Sequence, residues 1–215
     1  MALTHIVILG PPGSGKGTQA ARIAREFGLA HLSTGDMLRD AVARKTDLGV
    51  EAETYMERGL LVSDEIIFGL IGTALDAARD TGWIMDGFPR NLVQAEMLSK
   101  ILEERGEKID YVLDIDVDSE LIVRRLSKRR VCPACKVVYN LDSIKTKAAG
   151  ICDACGGAIV KRPDDEEDTV RRRLAVYKAQ TAPVIDYFRK RSSVITVEGA
   201  GDIEEIFAEI RGVLK

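Results

Sequence analysis

The chain has 215 residues, 46% of them hydrophobic, with a formal net charge of −3. That supply of apolar side chains suits one core carrying insertions, and the mildly acidic balance argues against nonspecific binding to nucleic acid or an anionic membrane. No apolar run reaches the roughly 18 residues of a membrane span, and the apolar start stops at Gly10 without the basic opening of a signal peptide, so a cytoplasmic protein is expected.

The first element is a β-rich run over 5–9. It feeds Gly10-Pro11-Pro12-Gly13-Ser14-Gly15-Lys16-Gly17-Thr18 and then a helix-compatible stretch, 18–24. Glycines there let backbone N–H groups approach an anion closely, the helix dipole favours the same charge, and Lys16 adds a point charge where phosphates would lie. The strict phosphate-loop pattern has Ser or Thr directly after the lysine. Here Gly17 takes that place and the hydroxyl follows at Thr18.

A short strand is predicted over 30–32, followed by two short amphipathic helices within 33–62. A helix at 64–79, with Asp64 capping it, leads to a strand at 82–86. Then come a helix at 91–105, a strand at 111–117, a helix at 119–130 and a poorly periodic stretch, 129–165. A long helix over 168–190, kinked or loosened near Pro183, precedes a last strand at 193–197. Strands alternating with helices predict right-handed βαβ units and an α/β fold with a parallel sheet. Ligands of such sheets bind beyond the carboxyl ends of the strands, where the glycine-rich loop, Asp86 and Gly199 all fall.

The four cysteines read Cys132-x-x-Cys135 and Cys152-x-x-Cys155 with sixteen residues between the pairs. That spacing predicts a four-thiolate zinc site, and four protein ligands leave no open position, so the metal is structural. An insertion of this size has little core of its own, which gives the ion a physical purpose. Asp86 beside a phosphate loop is placed to order magnesium. His5 and His31, the only histidines, are expected to be packed or exposed. If the acceptor is itself a phosphate, its oxygen is already anionic and needs no base, so positioning and charge neutralisation suffice.

The runs at 10–18, Ser33-Thr34-Gly35-Asp36-Met37-Leu38-Arg39, Asp86-Gly87-Phe88-Pro89-Arg90 with Gln94, and Arg171-x-Arg173-Leu174 together resemble adenylate kinases over essentially the whole chain. The cysteine-bearing insertion resembles the zinc-binding, long-lid bacterial branch. The resemblance implies a P-loop core (1–32, 63–128 and 166–215), a small helical AMP-binding insertion (33–62) and a zinc-binding lid (129–165). It further implies a monomeric transferase that moves the terminal phosphoryl group of ATP to AMP, giving two ADP, with Mg2+ accompanying ATP.

Carried over by position, Gly13, Ser14, Gly15, Lys16, Gly17 and Thr18 hold ATP phosphates. Thr34, Arg39, Leu60, Leu61, Val62, Gly87, Phe88, Pro89, Arg90 and Gln94 form the AMP site, where Arg39 and Arg90 grip phosphate and Gln94 reads adenine. Arg129, Val138 and Tyr139 lie over ATP, Gly201 lends backbone to its adenine, and Arg162 and Arg173 close on the phosphates. Asp86 orders magnesium, with Asp36 a second acid near it, and the Phe88-Pro89 bond is expected to be cis. Rival readings are a kinase for another nucleoside monophosphate, a nucleotide sensor without turnover, and a zinc-ribbon nucleic-acid NTPase. The last is poorly served by 132–155, whose single aromatic is Tyr139.

Overall fold

The computed structural model describes residues 4–214. In chain order its strands are β1 (His5–Leu9), β2 (Ala30–Ser33), β3 (Trp83–Asp86), β4 (Tyr111–Asp116), β5 (Arg129–Val131), β6 (Val138–Asn140) and β7 (Val194–Glu198). Five of them form a parallel sheet in the order β2-β3-β1-β4-β7, while β5 and β6 pair antiparallel on their own. The α-helices are α1 (Lys16–Phe27), α2 (Thr34–Ala43), α3 (Asp47–Glu57), α4 (Asp64–Ala77), α5 (Leu92–Glu104), α6 (Ser119–Lys128), α7 (Glu167–Val176), α8 (Ala182–Arg189) and α9 (Ile203–Val213).

β1 runs through the middle of the sheet and is buried throughout. Its side chains alternate as the pleat requires. Ile6 and Ile8 pack with Ile23 of α1, Ile122 of α6 and Ile210 of α9. Val7 and Leu9 join the opposite layer with Ile71 of α4, Leu98 of α5 and Phe188 of α8. Burial on both faces is what a near-continuous apolar strand encodes. The register sets Ser33 and Ile8 beside Asp86, so the loop after β1 and the end of β3 emerge together.

Three local expectations change. Asp64 does not cap α4. Ser63 holds the cap position without a side-chain bond, and the Asp64 carboxylate instead accepts from Asn91 Nδ2 (3.1 Å) and Gln94 Nε2 (2.7 Å). The helix expected over 168–190 starts at Glu167 and is interrupted by a π turn at Tyr177–Thr181, just before Pro183 in the first turn of α8. Proline has no N–H to give and its ring crowds the preceding turn, so the wider turn ahead of it relieves both conflicts. The helix α9 is an addition to the predicted elements. Asp202 caps it by accepting from Glu204 N–H (2.8 Å), and Ile206, Phe207 and Ile210 anchor it to the core. Among the described residues no helix is long and apolar enough to cross a membrane.

Candidate active site and metal centre

The loop 10–18 joins β1 to α1, and α1 opens without a capping side chain and with no acid in its first turn. By contrast Ser33, Thr46, Asn91, Asp118 and Asp202 cap α2, α3, α5, α6 and α9. Uncapped N–H groups at the positive end of a helix dipole form an anion site. Ser14 adds a buried hydroxyl with no protein partner. The departure at Gly17 falls at a tight place. A Cβ there would stand 3.1 Å from Asp86 Oδ2, so a larger residue would need the carboxylate to give by a few tenths of an ångström.

Lys16 Nζ donates to Pro11 O at 3.2 Å. Desolvation in the cleft brings its pKa down to about 8; nearby Arg90, Arg173 and Arg129 push the same way and Asp86 opposes them. Burial alone would raise the Asp86 carboxyl, but His31 and the Lys16 and Arg90 charges hold it below the usual carboxylate range. His31 is partly buried, as the expectation of a packed or exposed histidine allows, and its Nε2 faces Asp86 Oδ2 at 3.6 Å, beyond a direct hydrogen bond. His5 packs as expected, stacked on Trp83.

The turn after β3 is fixed from three sides. Thr34 Oγ1 donates to Gly87 O (2.8 Å), and so does Arg90 Nε (2.6 Å). Gly87 has φ 80°, and a Cβ on it would meet Thr34 Oγ1 at 2.9 Å, so only glycine fits. The Phe88-Pro89 bond is cis. Gln94 accepts from Arg90 N–H at 2.7 Å and donates to Asp64, which orients its amide at the cleft wall. Thr181, in the π turn, donates to Arg90 O at 2.7 Å and braces the same arginine from behind.

These groups line one open cleft, which gathers Lys16, Arg39, Arg90, Gln94 and Arg173 with Leu60, Leu61 and Val62. Arg129 and Arg162 approach from the segment 129–165. Arg129 grips Asp165 through Nε (2.8 Å) and a terminal nitrogen (2.5 Å), and Arg173 pairs with Asp164 at 2.8 Å. Arg162 borders an adjoining cavity between that segment and α2, shared with Asp36, Arg39 and Lys136. The two insertions touch there, Lys136 Nζ lying 2.8 Å from Asp40.

Not every predicted residue lines the cleft. Val138 is half-buried on β6, and the Tyr139 side chain points into the interior of its own segment. Gly201 lies in the turn after β7, with room around it. Asp164 and Asp165 were absent from the predicted site, because an acidic pair in a loop reads as solvated. Asp165 is nevertheless fully buried by the arginines it serves.

Like charges crowd this site. Burial, then Arg173, bring Arg90 to about 10. Burial, then Arg39 and Arg129, do the same to Arg162. Six cations (Lys16, Arg39, Arg90, Arg129, Arg162, Arg173) face four carboxylates (Asp36, Asp86, Asp164, Asp165), an imbalance suited to a polyanion.

The second centre lies in the segment 129–165. Its four Sγ atoms fall within 4.8 Å of one another, with Cys132–Cys155 and Cys135–Cys152 each at 3.4 Å. Zn–S bonds of about 2.3 Å in a tetrahedron put sulfurs roughly 3.8 Å apart, inside that range. The knuckles share one backbone pattern. Cys132 N–H donates to Val137 O and Lys136 N–H to Cys132 O, as Cys152 N–H donates to Gly157 O and Gly156 N–H to Cys152 O. Such paired turns present both sulfurs of each knuckle to a common point, and thiolate ligands fit zinc.

A parallel sheet with a phosphate loop, and two insertions meeting over its ligand edge, define a phosphate-loop protein that encloses a polyanionic ligand. A family model described as adenylate kinase matches residues 8–193. An adenylate kinase of Methanothrix thermoacetophila is 50% identical over 211 residues, covering 98% of each chain. Those of Kosmotoga olearia and Archaeoglobus fulgidus are 48% identical over 209 residues and 46% over 212, covering 96% and 98% of each chain. The chain belongs to the adenylate kinase family.

Proposed function

We propose that the enzyme transfers the terminal phosphoryl group of ATP to AMP, reversibly giving two ADP, and that it works as a monomer in the cytoplasm, where reducing conditions keep its cysteines free to hold metal. The observation that carries this reading is that Lys16, Arg39, Arg90 and Arg173 line a cleft walled by both the phosphate loop and the insertion 33–62, with Arg162 in the adjoining cavity and the Arg129 charge close enough to act on Lys16. A single bound anion would not call for so many. In this reading 1–32, 63–128 and 166–215 form the core, 33–62 binds AMP and 129–165 is the zinc-bearing lid.

Gly13 to Thr18 hold the donor phosphates, with Lys16 following the transferred group. Thr34, Arg39, Leu60 to Val62, Gly87 to Arg90 and Gln94 hold AMP. Arg129, Arg162 and Arg173 neutralise charge as it spreads over the transferring oxygens, and lid closure excludes the water that would otherwise take the phosphoryl group. Asp86, kept ionised next to the loop, is the residue fitted to hold magnesium, with Asp36 second, and the ion would supply positive charge to offset that of the phosphates. The acceptor oxygen is anionic before it attacks, so no side chain need remove a proton.

An ADP-production assay with AMP, CMP, UMP and GMP as acceptors tests the assignment. Turnover with AMP far above the others is expected, because a polar base site left unpaired by the wrong base costs affinity. Equal turnover with CMP or UMP, or none with AMP, would replace it. Arg90→Ala is expected to weaken AMP binding at least about tenfold while ATP binding changes little, since a charge-assisted contact to one phosphate is lost. Calorimetry with each nucleotide reads the difference, and equal losses would move Arg90 out of the acceptor site.

A further inference from the structure

Tyr139 is the one aromatic residue between Cys132 and Cys155, and it is only 4% exposed in a segment with almost no other core. Its hydroxyl has two neighbours. Asp153 N–H donates to the oxygen at 2.9 Å, and Cys152 Sγ lies 3.3 Å away. One lone pair of the oxygen is thus engaged by a donor, and the sulfur is the acceptor left for the hydroxyl proton. A metal-bound thiolate carries no proton and can only accept, which matches that direction.

The residue also sits at a mechanical junction. Tyr139 pairs with Arg130 across the β5–β6 ribbon, one position from the pair of Arg129 with Asn140. From Cys152 the path runs through the phenol to β6 and on to the strand that begins with Arg129. Asp153, which anchors the phenol oxygen, also accepts from Lys147 N–H at 2.9 Å and pins the loop that leads to the second knuckle.

Resting on the zinc reading above, we propose that Tyr139 is a positioning residue of the metal centre: its hydroxyl donates to the Cys152 thiolate and so ties the ion to the ribbon that carries Arg129. Partners of this kind fix ligand orientation and temper the charge on sulfur, and their loss lowers metal affinity by about 10–100-fold. The alternative is that Tyr139 only fills space. Tyr139→Phe separates the two, because it keeps the ring and removes only the hydroxyl.

The test compares the full-length wild type and Tyr139→Phe for Zn2+ affinity, by competition with a chromophoric chelator, and for the sulfur-to-cobalt charge-transfer band after loading with Co2+. The proposal expects zinc held at least about tenfold more weakly, a displaced cobalt band, and a KM for ATP raised more than that for AMP. Unchanged zinc affinity and an unchanged cobalt band in the variant would overturn it and leave Tyr139 as packing. A wild type that takes up neither ion would overturn the zinc reading itself, which the wild-type arm reports separately.

Discussion

Replacing Lys16 with alanine is expected to lower kcat by at least about a hundredfold, the scale of losing one preorganised charge from a site where charge develops. The fold should survive, because alanine suits the first turn of α1 and Lys16 makes only one hydrogen bond, to Pro11 O. Its pKa adds a signature. Desolvation sets the free-enzyme value at about 8, and bound phosphates favour the charged form. ATP affinity is therefore full below pH 8 and declines as pH rises above it. The sign for stability is opposite. The unfolded lysine, with its ordinary value of 10.5, holds a proton the folded one has released, so this group's contribution to stability increases from pH 8 to about 10.5. Both trends should vanish in Lys16→Ala. ATP titrations across pH 7–10 read the first and denaturant melts the second, and near-normal turnover by a folded variant would remove the loop from the chemistry.

Stripping the metal is expected to have the next largest effect, centred on one part of the molecule. The sheet rests on two large apolar clusters, one on each face. The apolar cluster of the lid has only Cys132, Tyr139 and Cys152 buried, flanked by Cys135, Ile144 and Ile159. Its order depends on four metal–sulfur bonds, so metal affinity there is folding energy. Chelation should make 129–165 open to proteolysis and lower the melting midpoint by at least about 5 °C, since each kcal/mol that reaches global unfolding is worth about 2–4 °C at this size. Cys152→Ser should act in the same direction, because three thiolates hold zinc less tightly than four. Nucleotide binding to the phosphate loop should persist in both. A metal-free protein that keeps its midpoint and resists proteolysis in the lid would show that the ion is not structural.

Local order carried much of this molecule. The five core strands, the glycine-rich loop and the knuckle spacing were readable because each is a short, contiguous signal: an apolar run, φ-permissive residues before a lysine, Cys-x-x-Cys twice. What escaped depends on distant partners. Asp165 looks like any loop acid until Arg129, 36 residues earlier, is folded against it. Asp64 had the right type and place for a cap, but Asn91 and Gln94 compete for its carboxylate and win. The interior orientation of Tyr139 follows from the position of Cys152, which no periodicity reveals. Gly17 is the instructive middle case. Its departure from the usual loop pattern is legible in the sequence, while the nearness of Asp86 Oδ2 to it is visible only in three dimensions. The helix α9 is different, since a capping Asp202 and the spacing of Ile206 and Ile210 are local signals that the sequence itself carries.

The grip of Arg129 on Asp165 bears on how such a chain can vary. These two residues open and close the lid segment, so their ion pair fastens its base whatever the length of chain above it. Closing a loop on a fastened base depends only logarithmically on contour length, about 0.6 kcal/mol for each doubling. Lengthening or shortening the arch of the lid therefore changes the cost of closing it only slightly. The length of the arch is free to vary while the stem that holds it stays the same.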